Sequence, residues 1–182
     1  MFKRLSVVVV FAVALYLVLP GSTFAQPFGY EGTQVCGMCH KSEKAGQQLK
    51  IWQESKHAQA FKTLQTPEAD KIAADKGIKG KAAEAKECLK CHVSGNDVDK
   101  ALLGAKFKME DGVQCETCHG PGSAYKSMAV MKNPEEAKKK GLVALDDKAK
   151  LCSQCHNAES PTHKEFKVDE MWAKIAHKVP KG

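Results

Sequence analysis

The 182-residue chain carries 28 Lys and Arg against 21 Asp and Glu, eight Cys, seven His and 43% hydrophobic residues. That length and composition suit one globular domain and exclude a disordered or low-complexity chain. Arg4 is the only arginine, so the rigid fork that binds oxyanions bidentately is missing, which counts against a dedicated anion-reducing enzyme.

Residues 1–25 read as an export signal. Lys3 and Arg4 form a positive start, residues 5–19 an apolar run ended by Pro20, and Thr23-Phe24-Ala25 a small-residue cleavage site before Gln26. The apolar run falls short of the ~20 residues a membrane span needs, so cleavage is expected over anchoring. No Cys sits there for lipidation. Cleavage takes two of the 28 basic residues and none of the 21 acidic ones, leaving one domain, residues 26–182, with a charge of +5.

Residues 26–34 have no helical period and lead into Cys36-Gly37-Met38-Cys39-His40. Residues 46–64 predict a helix in which His57, Ala60, Phe61 and Leu64 share a face, so the imidazole points where that face is buried. Thr66-Pro67-Glu68 predicts a capped helix start, with Gly77 and Gly80 interrupting an Ala/Lys-rich stretch that serves as a solvated cover. Cys88-Leu89-Lys90-Cys91-His92 follows, and residues 93–111 show little period beyond a possible hairpin at 105–109. Gly112-Val113-Gln114-Cys115-Glu116-Thr117-Cys118-His119-Gly120-Pro121-Gly122 is the stretch around which the chain is organised. Asn133-Pro134-Glu135-Glu136 predicts a capping box, closed by Gly141, before Cys152-Ser153-Gln154-Cys155-His156. Residues 169–178 predict a last helix ended by Pro180, with Trp172 and Ile175 on its apolar stripe and His177 off it. No membrane span, glycine-rich phosphate loop or nucleophilic triad appears after residue 25.

All eight cysteines fall in four Cys-x-x-Cys pairs, and His follows every pair. A zinc ribbon or a disulfide framework uses paired cysteines but does not need that residue. Covalent haem c attachment needs all three: Cys36 and Cys39, Cys88 and Cys91, Cys115 and Cys118, Cys152 and Cys155 as thioethers, with His40, His92, His119 and His156 on the iron. Four haem c groups leave about 39 residues for each, too few to wrap them separately, so the macrocycles share walls and form most of the core. The expected fold is mainly α with a haem-packed core and little regular β-structure. Eight propionates against four ferric cores bring the oxidised protein roughly to neutrality, so its lysines read as propionate partners and docking surface rather than nucleic-acid sites.

Six-coordination of four irons needs eight axial ligands. Beyond the four motif histidines only His57, His163 and His177 remain, so at most three irons are bis-His within this chain. The candidate thioethers are Met38, Met109, Met128, Met131 and Met171, with Met128 and Met131 placed to return over a neighbouring haem, or simply to fill core gaps.

Trp52-Gln53-Glu54-Ser55-Lys56-His57-Ala58, the stretch from Gly112 to Gly122, and Phe166-Lys167-Val168-Asp169-Glu170-Met171 leading to His177 resemble, in the same order, the cytochrome c-554 family of tetrahaem cytochromes. The resemblance implies a mostly helical, soluble, periplasmic protein that shuttles electrons between redox partner proteins. It implies pairing of His57 with His156 and of His177 with His119, and an open distal side opposite His92. A His about ten residues past Gly-Pro-Gly caps the first haem in the family; this chain has Tyr125, Met128 and Met131 there, and His163 is extra.

Met131 is therefore the expected cap for the haem of His40, with Met128 and Tyr125 next and His163 as the competitor. Three functions follow: an electron carrier, foremost; a small redox enzyme acting on a nitrogen oxide or similar ligand at an open haem; and a subunit of a conductive filament, with an axial His donated between copies.

Overall fold

The computed structural model describes residues 28–177; the expected export signal lies outside them. Within them are ten short helices: α1 (Thr33–Gly37), α2 (Gln48–Gln53), α3 (Ala60–Leu64), α4 (Pro67–Asp75), α5 (Lys86–His92), α6 (Cys115–His119), α7 (Met128–Met131), α8 (Pro134–Lys139), α9 (Lys148–Ser153) and α10 (Val168–Ile175). The fold is mainly α, as expected. Among the described residues the β-pairing is one isolated bridge, Tyr30 to Leu103. Helices α1, α5, α6 and α9 each contain the first cysteine of a motif, so every attachment site is built on a helical turn that brings its two thiols to one side.

Two helices form where their caps are written. The Thr66 side chain accepts the Ala69 N–H at 3.2 Å and Pro67 opens α4. Asn133 accepts the Glu136 N–H at 3.2 Å and Pro134 opens α8. Past the end of α8, the Leu142 N–H returns to the Ala137 carbonyl at 2.9 Å across Gly141.

Three expectations need correction. The helix expected over 46–64 is broken: α2 ends at Gln53, a 3₁₀ turn covers His57–Gln59, and α3 begins at Ala60. The Ser55 hydroxyl and N–H both return to the Trp52 carbonyl, at 2.7 and 2.9 Å, and such local bonds compete with helix continuation. The break frees the His57 carbonyl to accept the Val113 N–H at 3.1 Å, while the Trp52 indole donates to the Val113 carbonyl at 2.8 Å. The hairpin considered at 105–109 does not form: the Phe107 N–H turns back to the Gly104 carbonyl at 2.9 Å, and the Lys108 carbonyl accepts from the Gln114 side chain at 2.8 Å. Finally, α10 ends at Ile175, with Ala176 extended. His177 is off the apolar stripe because it is off the helix.

The polypeptide buries little apolar bulk of its own. Among the described residues five of the eight buried hydrophobic ones are alanines, and the largest fully buried side chains are polar: Gln114, Glu116 and Thr33. One small cluster joins Leu64, Ala73 and Ala82 to Ile78, Cys88 and Leu89. Through it α4 covers the helix of the second motif.

Candidate haem centre

The third motif is the hub. Glu116, inside Cys115-Glu116-Thr117-Cys118-His119, is 1% exposed. Its carboxylate accepts the N–H groups of Glu31 and Gly32, each at 2.8 Å, and of Gly122 at 2.7 Å. A buried carboxylate is tolerated only with such full pairing, and here it pins the segment before the first motif to the third. Gln114 repeats the device, accepting from the Thr33 N–H at 3.0 Å and hydroxyl at 3.1 Å. Its own N–H donates to the Ser94 hydroxyl at 2.7 Å, which ties in the segment just past the second motif. Gly112 has φ +66°, and a Cβ there would stand 2.8 Å from the His57 carbonyl oxygen. Only glycine allows that approach.

Histidines far apart in sequence come face to face around this hub. The His57 and His156 rings have centroids 6.1 Å apart and planes at 65°. The His119 and His177 rings are 6.0 Å apart at 51°. Two imidazoles on one metal, at about 2.0–2.1 Å per metal–nitrogen bond, put their centroids roughly 6.3 Å apart, so each pair has the spacing of a six-coordinate site. Burial and the neighbouring His177 and His40 push the His119 imidazole down to about 4. His57 is lowered by burial and by His156, and His156 by burial and by His163. The neutral imidazole is the metal-binding form. The His177 Nδ1 lies 3.0 Å from the Ile175 carbonyl, and the His92 Nδ1 lies 2.8 Å from that of Ala60. In both rings Nε2 is left for a metal.

The cysteines give the order of the motifs in space. Cys36 of the first motif is a close neighbour of Cys115 of the third, and α1 packs on α6. Cys118 of the third is a close neighbour of Cys152 and Cys155 in the fourth. Cys155 in turn is a close neighbour of Cys91 of the second, where Lys90 and Glu159 also pair at 2.6 Å. The run is therefore first, third, fourth, second. A groove of about 700 Å³ opens beside the His57 turn, lined in part by Trp52, Ala58, Lys62 and Lys108. The donor set and the ring spacings fit haem c.

A family model described as "Cytochrome c554 and c-prime" matches residues 35–120, and one described as "Doubled CXXCH motif" matches residues 108–161. Cytochrome c-554 of Nitrosomonas europaea is 29% identical over 158 residues, which cover 80% of this chain and 65% of that protein. The chain thus spans just under two thirds of that relative's length. No solved structure gives a significant match. Over residues 35–120 the chain is thus similar to the cytochrome c-554 family.

The two matched stretches together contain all four Cys-x-x-Cys-His motifs, the candidate sites of covalent haem c attachment. Among the described residues, which include all seven histidines, two imidazole pairs face one another. Neither His40 nor His92 has an imidazole opposite. His163 is exposed beside His156, with its N–H on the Ser160 carbonyl at 3.0 Å. Met131 closes α7 half-buried, and Met128 is 65% exposed. Tyr125, third candidate for the first haem, is buried with its hydroxyl donating to the Gly120 carbonyl at 2.6 Å, so it locks the turn after the third motif instead.

Sequence reasoning missed Phe166, whose ring stacks on His156 at 4.3 Å and 14°. It also missed Glu116 and Gln114. Polar residues beside a motif helix that are too large for a turn were the available signal for those two; Phe166 had none. Among the described residues no helix is long and apolar enough to cross a membrane.

Proposed function

We propose that this cytochrome is an exported, periplasmic carrier of four haem c groups that passes electrons between redox partner proteins. The observation that carries it is the run of attachment sites from first to third to fourth to second, with neighbouring motifs touching through their cysteines. Bound haem supplies the one-electron chemistry; the polypeptide fixes spacing, ligation and access. His57 and His156 serve one inner site and His119 and His177 the other. His40 and His92 hold the two outer sites, where electrons enter and leave. Lysines are spread over the described surface, where they suit docking to an acidic partner.

Intact mass of the mature protein, from a host competent in cytochrome c maturation, is expected to show four haem additions and loss of residues 1–25. EPR of the oxidised protein is expected to show two bis-His low-spin irons. Free thiols, or a single bis-His signal, would overturn the assignment.

The outer sites support a second reading, because an iron lacking a second imidazole can take an exogenous ligand. That makes reduction of a nitrogen oxide or similar ligand opposite His92 the alternative to pure carriage. At the His40 site, Met131 is the proposed cap and His163 the competitor. A ferric near-infrared methionine band that disappears in Met131→Ala supports Met131; its absence from the parent protein rules the thioether out.

A further inference from the structure

We propose that Phe166 is a positioning residue that sets the rotational orientation of the His156 imidazole, and thereby makes the two inner iron sites electronically different. The proposal rests on the reading of His57 and His156 as ligands of one iron.

The Phe166 ring lies 4.3 Å from the His156 ring with only 14° between their planes, a face-to-face stack. The His57 ring, its centroid 6.1 Å away, stands at 65° to that of His156. A ligating imidazole bound through one nitrogen keeps one free rotation, about the metal–nitrogen axis. A flat side chain packed parallel to the ring blocks that rotation as a wall would. Close contact between the two flat rings thus favours one orientation of the imidazole.

Phe166 is itself held. It is half-buried and lies two residues before α10, which packs on α9, the helix of the fourth motif, where the Lys148 ammonium sits 5.3 Å from the Trp172 ring centroid. One segment thus serves both inner sites, with Phe166 against His156 at its start and His177 facing His119 at its end. At the second site the His177 ring is set by a hydrogen bond, Nδ1 to the Ile175 carbonyl at 3.0 Å, and the planes meet at 51°.

The angle matters because each imidazole acts through π overlap on the iron d orbital perpendicular to its own ring plane. Parallel rings act on the same orbital and split the pair widely, giving a rhombic ferric signal. Rings near perpendicular act on both and leave them close in energy, giving a strongly anisotropic signal with a larger gmax. The site of His57 and His156 should therefore have the larger gmax of the two. An unconstrained ring drifts towards the parallel arrangement, where the wider splitting lowers the energy of the ferric ion. Outer-shell contacts that orient a ligand in this way are an established lever on metal sites.

The test is EPR of the oxidised, haem-loaded protein. His57→Ala identifies the signal, since it should remove the larger-gmax component and add a high-spin one. Phe166→Leu should keep the haem count and the low-spin integral but lower gmax of that component alone, and Phe166→Tyr should restore the parent value. An unchanged gmax in Phe166→Leu, with the His57→Ala assignment intact, overturns the stacking role by itself. A His57→Ala protein that keeps both low-spin signals overturns the ligand pairing first, and the proposal with it.

Discussion

The third and fourth motifs each have a second imidazole in front of them, delivered from a distant part of the chain, whereas the first and second have none. The inner pair also sits where the cysteines of neighbouring motifs come together on both sides, while each outer motif touches one neighbour. Position and imidazole pairing vary together. Bis-His ligation leaves an iron no room for other ligands and lowers its potential relative to His/Met, which suits relay sites. The outer motifs are left open to a thioether, a partner or a small molecule. The difference teaches that motif count alone does not describe this chain; what distinguishes the sites is which loop or helix end returns to them.

The largest expected effect breaks the inner region away from one outer motif. Glu116→Ala leaves the N–H groups of Glu31, Gly32 and Gly122 buried without an acceptor. Each costs about 1–3 kcal/mol to leave unsatisfied, so the loss should exceed about 3 kcal/mol in thermal or denaturant unfolding. Glu116→Gln, which keeps one acceptor oxygen, should lie between. Amide exchange should quicken in α1 and the segment before it, and much less in α5, because α5 is held by the Leu64 cluster instead. Equal loosening of both helices would contradict the separation drawn here.

Gly112→Ala comes next. The substitution forces a side chain into φ +66° and sets a Cβ 2.8 Å from a backbone oxygen that cannot rotate away. A cost of about 1–3 kcal/mol is expected. Because the oxygen belongs to His57, the strain should also disturb the His57 and His156 signal while leaving that of His119 and His177 in place. An unfolding midpoint equal to the parent's would show that the His57 turn moves freely, against its bond to Val113.

How much of this was legible in the sequence follows from range. The attachment motifs, the caps at Thr66 and Asn133 and the mainly α character are local, and they read directly. The broken helix at Glu54–Lys56 did not, because the apolar period continues through it and only the contact with Val113, about sixty residues away, makes the break worthwhile. His57 and His177 were singled out, one by its helical face and the other by resemblance, and the structure brings both to motif imidazoles. The limit of three bis-His irons came from counting; that the third candidate, His163, stands beside His156 rather than across from His40 or His92 is a fact of folding that counting cannot reach. The spatial order of the motifs was equally invisible, since all four have the same pattern.

Removing single ligands sharpens the comparison with a smaller effect on stability. His57→Ala and His177→Ala should each convert one low-spin iron to high-spin, with all haems still attached through their cysteines. His163→Ala should change no spin state, since its exposed ring faces no other site across a ligand-pair gap. Magnetic circular dichroism of the three variants checks all of this together. A spin change in His163→Ala would move that residue into an outer site and reduce the inner–outer contrast to one open iron.

The smallest effect concerns the cover of the second motif. The Asp70 carboxylate accepts the Ala82 N–H at 2.9 Å and pairs with the Lys81 ammonium at 2.8 Å, joining α4 to the turn that precedes α5. The Lys81 hydrogen bond, followed by that of Ala82, holds the Asp70 carboxyl below its ordinary value of 3.8. The Asp70 contact holds the Lys81 ammonium above its ordinary 10.5. For the acid, a depressed folded value means its stabilisation is complete above the unfolded value and is lost as pH falls through the folded one. For the base, a raised folded value means its stabilisation is complete below the unfolded value and is lost as pH rises through the folded one. The link should therefore be intact from about pH 5 to pH 9, inside both limits, and loosen outside them. Amide exchange at Ala82 should rise below about pH 4 in the parent, after correction for intrinsic exchange, and be raised already at neutral pH in Asp70→Asn. The pair is exposed to solvent and salt, so the change should be confined to this cover and leave the imidazole pairs of the inner sites unmoved. If the spectra of the inner irons shifted along with Ala82, the cover and the core would be one cooperative unit, and the division between outer and inner sites would be one of ligation alone.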